Sequence, residues 1–141
     1  MIYTTLTKKA INIMFNTHKE QKDKSDMPYV FHPYEVASKM DDEYSVCVAL
    51  LHDVVEDGEV TFEELGKEFP KEVIEALKLL THDSKVDYFD YVKCIKNNEI
   101  AKKVKLSDLE HNMNLSRLNE VSEYDLIRLE KYKKAYIFLK E

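Results

Sequence analysis

Apolar residues recur at intervals of three and four along most of the chain, which is the spacing of amphipathic α-helices. The first predicted helix ends before the polar stretch 21–26, and its apolar face consists of Leu6, Ala10, Ile13 and Met14. Between Pro28 and Pro33 we expect an extended connection, because residues that precede proline avoid the α region. A short helix is predicted after this connection, from about Tyr34 to Met40.

The most apolar helix is predicted directly after Asp41 and Asp42, either of which can cap its N-terminus. Residues 46–54 are apolar on most of the helix circumference, so we expect this helix to lie at the centre of the fold. The same predicted helix carries His52 and Asp53.

The second half of the chain is also predicted to be helical. The segment from Thr61 to Glu64 is typical of a capping box, and Pro70 suits the first turn of another helix. Two more helices are expected over about 88–96 and 99–111, and Ser122 can cap a final amphipathic helix. The whole pattern predicts an all-α, compact single-domain bundle of about seven or eight helices.

The composition excludes several classes of protein. With two glycines in 141 residues, the chain has neither a P-loop nor a GxGxxG turn, which excludes enzymes built on those motifs. A net charge of −6 and only two arginines, Arg117 and Arg128, disfavour binding to a nucleic-acid polymer. Cys47 and Cys94 form no CxxC pair and no long apolar stretch occurs, so we expect a cytoplasmic protein without a membrane partner.

The segment 50–57 contains the most informative polar positions. On a helix, His52 and Glu56 are four residues apart, as are Asp53 and Asp57, so each pair is expected to share a face. Burying these groups is costly unless something compensates, and one divalent cation binds imidazole and carboxylate together. From these residues alone, a solvated helix end with a capping histidine remains an alternative.

Two further polar residues interrupt apolar surroundings elsewhere in the chain. His32 lies in the rigid connection between the prolines, and Asp108 lies within the helical apolar pattern of the segment 104–109. Taken singly, His32 is compatible with a hydrogen-bonded core histidine, and Asp108 is compatible with a surface charge. One metal site explains all three polar intrusions better than three independent accidents do.

The motifs HP, HDxxED and KLxDxxxN occur in this order, beginning at His32, His52 and Lys105. This ordered set resembles the HD-domain metal-dependent phosphohydrolases and, more narrowly, the hydrolase domain of the RelA/SpoT alarmone enzymes and their stand-alone small hydrolases. The similarity extends from about Ala10 to Leu118. It implies a helical bundle of the HD-domain type that occupies residues 1–141 as a single domain.

The resemblance implies one divalent ion, typically manganese in that family, with the ligands His32, His52, Asp53 and Asp108. A set of two nitrogens and two oxygens also accepts Zn²⁺, Fe²⁺ or Co²⁺, so the identity of the metal stays open. Glu56 and Asp57 match the pair that orients and deprotonates the attacking water in the family. A cation lowers the pKa of that water and neutralises charge on the phosphate, while a carboxylate takes the proton.

Four other residues match substrate contacts of the family. Lys24 and Ser25 belong to the loop that grips the guanine and its ribose, and Asn112 matches a residue that contacts the substrate near the metal. Lys105 begins the same motif as Asn112, and it is either a substrate contact or a solvated helix charge.

The chain also departs from the family pattern. Asp23 stands where an arginine is usual, Asp26 where a glycine is usual, and Gly58 and Leu115 where threonines are usual. The changes at the loop and at Leu115 concern recognition of the base rather than the metal chemistry, so the exact nucleotide stays open. Of the remaining histidines, His18 is interpreted as a structural residue, and His82 and His111 are interpreted either as surface groups or as residues that contact a metal ligand without binding the metal.

On this resemblance, the predicted reaction is the hydrolysis of the 3′-pyrophosphate of a guanosine tetraphosphate (ppGpp)-type alarmone. The products would be the nucleoside 5′-phosphate and pyrophosphate. The alternatives are the same chemistry on another nucleotide, and a module that senses a metal and a nucleotide without turnover. The expected partner is a small nucleotide, and the sequence does not decide whether the chain forms a homo-oligomer.

Overall fold

A computed structural model describes residues 1–141, which form nine α-helices, one 3₁₀ turn and no β-strand. The helices are α1 (Thr5–His18), α2 (Phe31–Ser38), α3 (Glu43–Leu51), α4 (Val54–Asp57), α5 (Phe62–Gly66), α6 (Lys71–Leu80), α7 (Tyr88–Ile95), α8 (Glu99–Asn112) and α9 (Glu123–Lys140). The 3₁₀ turn, Leu115–Arg117, lies between α8 and α9. The predicted all-α fold is confirmed.

Side-chain caps define where several helices begin. Thr61 forms the predicted capping box, Ser122 caps α9 as predicted and does so through a capping box, and Asp42 rather than Asp41 caps α3 by accepting a hydrogen bond from Ser45 N. Pro70 precedes α6 as its N-cap residue instead of occupying the first turn. Each cap satisfies backbone N–H groups that have no partner within the helix, which stabilises the helix by about 1 kcal/mol.

Helix α3 lies at the centre of the fold, as its apolar sequence predicts. Residues 45–51 are buried, with exposed fractions of 0–1%. The helix packs against α1, α2, α6 and α8, so apolar neighbours surround it. Full burial of a leucine side chain such as Leu50 contributes about 1.5–3 kcal/mol. This packing fixes the position of the C-terminal end of α3, which directly precedes His52.

Helix α2 begins three residues earlier than predicted, so the expectation of an extended connection up to Pro33 is wrong. His32 N donates to Tyr29 O, and Tyr34 N donates to Val30 O, which together form the first turn. Pro33 is tolerated there because the N–H that it lacks would have no partner within a first turn. His32 therefore lies on a helix.

The central helix ends at Leu51, whereas the sequence predicts that it continues through His52 and Asp53. These two residues form a break before the short helix α4. Asp53 has φ −110° and ψ 1°, in the sparsely populated bridge region that active-site residues often adopt. Because the helix is interrupted, the i, i+4 spacing from His52 to Glu56 does not set a common helical face.

Gly58 follows α4 at a point where two segments approach closely. A Cβ atom at this position would lie 2.7 Å from Cγ2 of Thr17 near the end of α1. The absence of a side chain therefore lets α4 pack against α1, and a threonine here would require Thr17 to move.

None of the helices combines the length and the apolar character needed to cross a lipid bilayer.

Candidate metal and nucleotide site

Four side chains from three parts of the fold converge on one point. Asp108 is contributed by α8, His32 by the first turn of α2, and His52 and Asp53 by the break between α3 and α4. Asp108 Oδ1 lies 2.8 Å from His32 Nε2 and 3.4 Å from His52 Nε2. His52 Nε2 lies 3.1 Å from Asp53 Oδ2, and one ligand atom from each of His32, His52 and Asp53 lies within 4.8 Å of the other two.

His52 offers a nitrogen that the protein itself leaves unsatisfied. Its Nδ1 lies 2.5 Å from the carbonyl oxygen of Ala49, to which it donates, so in the neutral ring Nε2 carries the lone pair. Nε2 is buried, and although Asp53 and Asp108 oxygens lie 3.1 and 3.4 Å away, neither has the geometry of a hydrogen bond to it. A buried imidazole nitrogen that faces two carboxylates is the donor set that a divalent cation prefers, so the residues present fit a metal.

The charges of the cluster also favour a cation. Burial by itself lowers the pKa of His52, but Asp53 and Asp108 outweigh it and raise that pKa well above its usual value. Burial raises the pKa of Asp108, but Lys105 and the two histidines outweigh it and lower that pKa well below its usual value. The site therefore stabilises positive charge between its carboxylates.

Each ligand candidate has a second partner that orients it. His32 Nδ1 lies 2.7 Å from Nδ1 of His111, and the two rings stack with their centroids 5.0 Å apart. Burial and Arg117 lower the pKa of His111 to about 4, so His111 is neutral near pH 7 and can accept the hydrogen bond. His32 then carries its hydrogen on Nδ1 and directs the Nε2 lone pair at the cluster.

Both carboxylates of the cluster are held by donors. The Tyr29 hydroxyl donates to Asp53 Oδ2 over 2.5 Å, and burial together with Asp53 raises the pKa of that hydroxyl. Lys105 Nζ donates to Asp108 Oδ2 over 3.0 Å, and Asn112 Nδ2 donates to Asp108 Oδ1 over 3.2 Å. Lys105 is thus not a solvated helix charge, since its side chain is only 12% exposed.

The two acids of α4 have different surroundings. Glu56 lines a cavity of about 150 Å³ together with His52, Asp53 and Asp108. Burial and the neighbouring charge of Asp53 raise the pKa of Glu56.

Asp57 instead lies on the side of α4 that faces the end of α1. Gln21 Nε2 donates to Asp57 Oδ2 over 3.3 Å, and the amide oxygen of Gln21 lies 2.8 Å from Nδ1 of the buried His18. His18 therefore orients the amide of Gln21, and Gln21 orients Asp57.

A larger cavity of about 320 Å³ begins at His32, Tyr29 and Asn112 and extends towards α9. Lys24 and Ser25 line it, as do Arg117 and Arg128, the only two arginines of the chain. The sequence-predicted substrate residues are therefore divided: Lys24, Ser25 and Asn112 line the larger cavity, whereas Lys105 lines the smaller one.

The loop residues of the larger cavity are held by polar contacts. Lys24 forms an ion pair with Asp125 at the start of α9, which lowers the pKa of Asp125 to about 2. Ser25 Oγ accepts a hydrogen bond from Asn119 N. These contacts join the loop to the C-terminal part of the chain.

Asp23 and Asp26 have local roles that explain their departure from the family pattern. Asp23 Oδ1 accepts hydrogen bonds from Ser25 N and Met27 N, and its Oδ2 lies 3.8 Å from a guanidinium nitrogen of Arg117. Its charge is thus partly neutralised within the protein. Asp26 has a φ of 65°, in the left-handed region that favours glycine and that aspartate also tolerates.

Some groups at the site are predictable from the sequence and others are not. His111 contacts the ligand candidate His32, which is one of the two roles expected for it. Its position directly before Asn112, at the end of the motif, was the available indication. Tyr29, Arg117 and Arg128 had no comparable pattern, because their roles depend on tertiary contacts.

Comparison with known proteins agrees with this architecture. The family model described as HD domain matches residues 10–114. The guanosine-3′,5′-bis(diphosphate) 3′-pyrophosphohydrolase of Aquifex aeolicus is 37% identical over 75 residues, which cover 50% of this chain and 11% of that protein. The GTP pyrophosphokinase of Brucella melitensis is 32% identical over 124 residues, which cover 77% of this chain and 16% of that protein.

The fold is also similar to a solved structure of a metazoan ortholog of SpoT that hydrolyses ppGpp. The TM-score is 0.80 at 22% sequence identity, and the match covers 99% of this chain and 87% of that chain. At this level of identity the likeness shows the fold. The chain spans less than a fifth of the length of the two curated relatives described above, namely 11% and 16%.

Proposed function

This chain belongs to the HD-domain family, whose members bind divalent metals, and we propose that it is a metal-dependent hydrolase of ppGpp-type alarmones that releases the 3′-diphosphate as pyrophosphate. The convergence of two histidines and two aspartates, with an unsatisfied buried nitrogen on His52, carries this proposal. The names of the relatives support the substrate class.

In this proposal, one divalent ion is held by His32 Nε2, His52 Nε2 and one oxygen each from Asp53 and Asp108. We propose Mn²⁺, because a mixed set of imidazole and carboxylate donors suits it, and Zn²⁺, Fe²⁺ and Co²⁺ are the competitors. The bound ion would lower the pKa of water and neutralise charge on a phosphoryl oxygen. The donors Tyr29 and Lys105 keep the carboxylates oriented.

Glu56 is the proposed general base. It lines the smaller cavity beside the cluster, and its raised pKa lies closer to neutrality than that of an ordinary carboxyl group. In the reaction, a water oxygen forms a bond to the phosphorus attached to the 3′-oxygen, and the bond from that phosphorus to the 3′-oxygen breaks. Glu56 accepts the water proton, and the 3′-oxygen leaves as a hydroxyl after taking up a proton. Asp57, the second acid expected to act on the water, does not line this cavity and accepts a hydrogen bond from Gln21, so we propose that it positions α4 instead.

The larger cavity is the proposed nucleoside site. Its volume of about 320 Å³ is in the range of small-molecule sites, and it begins at the cluster. Lys24, Ser25 and Asn112 are proposed to contact the nucleotide there. The ion pair between Lys24 and Asp125 means that the lysine must exchange this partner to bind a phosphate.

A second candidate is the same hydrolysis on a different 3′-phosphorylated nucleotide. The observation that favours it is the larger cavity itself, where Asp23 and Leu115 replace the residues that the family uses for guanine. A sensing module without turnover is less well supported, since Glu56 lies next to the ligand candidates.

The test is an activity matrix of metals against nucleotides on the purified protein. We expect ppGpp to be hydrolysed fastest with Mn²⁺, with GDP and pyrophosphate as the products. Turnover of other 3′-phosphorylated nucleotides but not of ppGpp would select the second candidate. Nucleotide binding without turnover under every metal would refute the enzyme assignment.

A further inference from the structure

The smaller cavity next to the cluster has donor groups that the hydrolytic step does not use. It is enclosed by the break after α3, the end of α6, α7 and α8, and its volume is about 150 Å³. It shares no lining residue with the larger cavity that begins at His32. The cluster therefore connects two separate compartments.

One of these donors has no partner at all. The hydroxyl oxygen of Tyr88 is buried and makes no hydrogen bond. Buried hydroxyl groups without a partner are rare, because each loses its hydrogen bonds to water without replacement. Tyr88 is also one of the residues that line this cavity, so its hydroxyl is the nearest donor without a partner for a ligand held there.

The ammonium group of Lys105 is the second donor. It makes one hydrogen bond, to Asp108, although an ammonium group has three N–H bonds to donate. Its nitrogen lies 5.3 Å from the ring centroid of Tyr91 and 5.9 Å from that of Tyr88. The positive charge is therefore held in an aromatic wall next to the metal ligands.

His82 completes this side of the cavity. Its Nε2 lies 2.7 Å from Val86 O, to which it donates, and its ring stacks on Tyr91 with the centroids 4.5 Å apart. The remaining nitrogen, Nδ1, has no hydrogen-bond partner within the protein. In the neutral ring Nδ1 carries the lone pair, so it can accept a hydrogen bond from a protonated phosphate oxygen.

We infer that this cavity binds the terminal phosphate of a diphosphate group, through Tyr88, Lys105 and His82. The inference rests on the proposed function, in which a diphosphate is separated from a nucleoside. The nucleoside occupies the larger cavity, so the diphosphate needs space in the other compartment. A terminal phosphate has several acceptor oxygens, which match the unused donors of the wall.

The carboxylates that line the same cavity do not prevent it from binding an anionic phosphate. Asp108 is paired with Lys105, and Asp53 accepts the hydrogen bond of Tyr29, so both are already engaged. Glu56 has a raised pKa and accepts the water proton in the proposed reaction. The anionic ligand therefore meets one uncommitted carboxylate, two donors (Tyr88 and Lys105) and the acceptor nitrogen of His82.

The test is calorimetric binding of inorganic pyrophosphate and inorganic phosphate to the Mn²⁺-loaded protein. We expect pyrophosphate to bind at least tenfold more tightly than phosphate. In Tyr88→Phe, pyrophosphate affinity should fall about tenfold while phosphate affinity changes less than twofold, because only the terminal group reaches Tyr88. Tyr44→Phe, at the start of α3 and outside both cavities, is the matched control and should leave both affinities unchanged.

A second variant keeps the test independent of Tyr88. His82→Asn should weaken pyrophosphate binding by a smaller factor, about threefold, and the melting temperatures of both variants are measured alongside, because His82 also donates to Val86 O and stacks on Tyr91. Equal affinities for the two anions in the wild type, or no effect of either variant, would overturn the inference. If ppGpp is not hydrolysed but the pyrophosphate preference and its loss in Tyr88→Phe persist, the substrate assignment fails and the diphosphate site stands.

Discussion

The metal cluster and the larger cavity are built in different ways, although they meet at His32. The cluster residues His32, His52 and Asp108 are 3–7% exposed and are held by helices packed on α3. The larger cavity is formed by the loop after α1, the 3₁₀ turn and the start of α9. Its basic ion-pairing side chains are more exposed, at 49% for Lys24 and 26% for Arg117, although the partner of Lys24, Asp125, is only 5% exposed.

This contrast explains where the chain follows the family pattern and where it departs from it. At the cluster, three of the four donors are buried, Asp53 is partly buried and each has a second partner, so a change at one position leaves a buried polar group without its partner. In the loop next to the larger cavity, Asp23 pairs with Arg117, and Asp26 has a φ of 65°, in the left-handed region that favours glycine. Such contacts are weak enough to be exchanged, so substrate recognition can change while the metal chemistry is kept.

The largest effect is expected from Asp108→Ala. It removes a proposed metal ligand, so metal-dependent turnover should fall by about 10³-fold or more, because a bound cation contributes several kcal/mol to catalysis. It also leaves the buried Lys105 unpaired, which should lower the free energy of unfolding by about 3–5 kcal/mol. Turnover assays and denaturant titration measure the two effects.

Asp41→Ala is the control for this variant. Asp41 also pairs with a lysine, Lys103, but its side chain is 84% exposed. The free energy of unfolding should change by about 1 kcal/mol or less. If Asp108→Ala costs no more than Asp41→Ala and retains metal-dependent activity, the contrast between the two regions is wrong.

Glu56→Gln should separate catalysis from metal binding. We expect kcat to fall by about 10²- to 10⁴-fold, the usual contribution of a general base, while Mn²⁺ affinity stays within a few-fold. Since burial and Asp53 raise the pKa of Glu56, wild-type kcat/KM should decline as the pH falls through this raised pKa and the base is protonated. This acid limb should be absent from the residual activity of Glu56→Gln.

The exposed Glu59→Gln, three residues further along the chain, is the matched control and should retain full activity. A Glu56→Gln enzyme that works at the wild-type rate would refute the assignment of the base.

A variant of His111 tests whether this residue orients the proposed metal ligand His32. His111→Leu removes the acceptor of His32 Nδ1, so Mn²⁺ affinity should fall by about 10- to 100-fold, as is usual for groups that orient a metal ligand. His111→Asn places an amide oxygen near the same position and should restore most of the affinity. Metal titration by calorimetry gives the comparison, and equal affinities of the leucine and asparagine variants would show that His111 only fills space.

The smallest effect is expected in the larger cavity, from Asp23→Arg. This change introduces the residue usual in the family, but it removes two hydrogen bonds to the loop and places a second guanidinium near Arg117. KM for ppGpp should therefore rise about three- to tenfold, with kcat and metal affinity unchanged.

Asp26→Gly is the companion variant, because it relieves the left-handed conformation and should raise the free energy of unfolding by less than about 1 kcal/mol.

A lower KM for ppGpp in Asp23→Arg would contradict the prediction for that variant, because it would mean that the loop accepts the family arginine without rearrangement.

The sequence predicted the all-α fold and the side chains that converge, but not the backbone that brings them together. Apolar periodicity correctly predicted that α3 is the central helix, because a helix that is apolar on most of its circumference must be almost completely buried, as α3 is. It could not predict the break at His52 and Asp53, because the break depends on the backbone conformation of Asp53, and the spacing of apolar residues does not report that conformation. The pairing of Asp23 with Arg117 joins residues far apart in the chain, and a single sequence does not reveal such a contact.

The most direct test is a crystal structure of the protein grown with excess manganese, with anomalous diffraction recorded at the manganese absorption edge. The account predicts one anomalous peak, contacted by His32 Nε2, His52 Nε2 and an oxygen from each of Asp53 and Asp108. A peak elsewhere, or a peak that one of the two histidines does not contact, would contradict it.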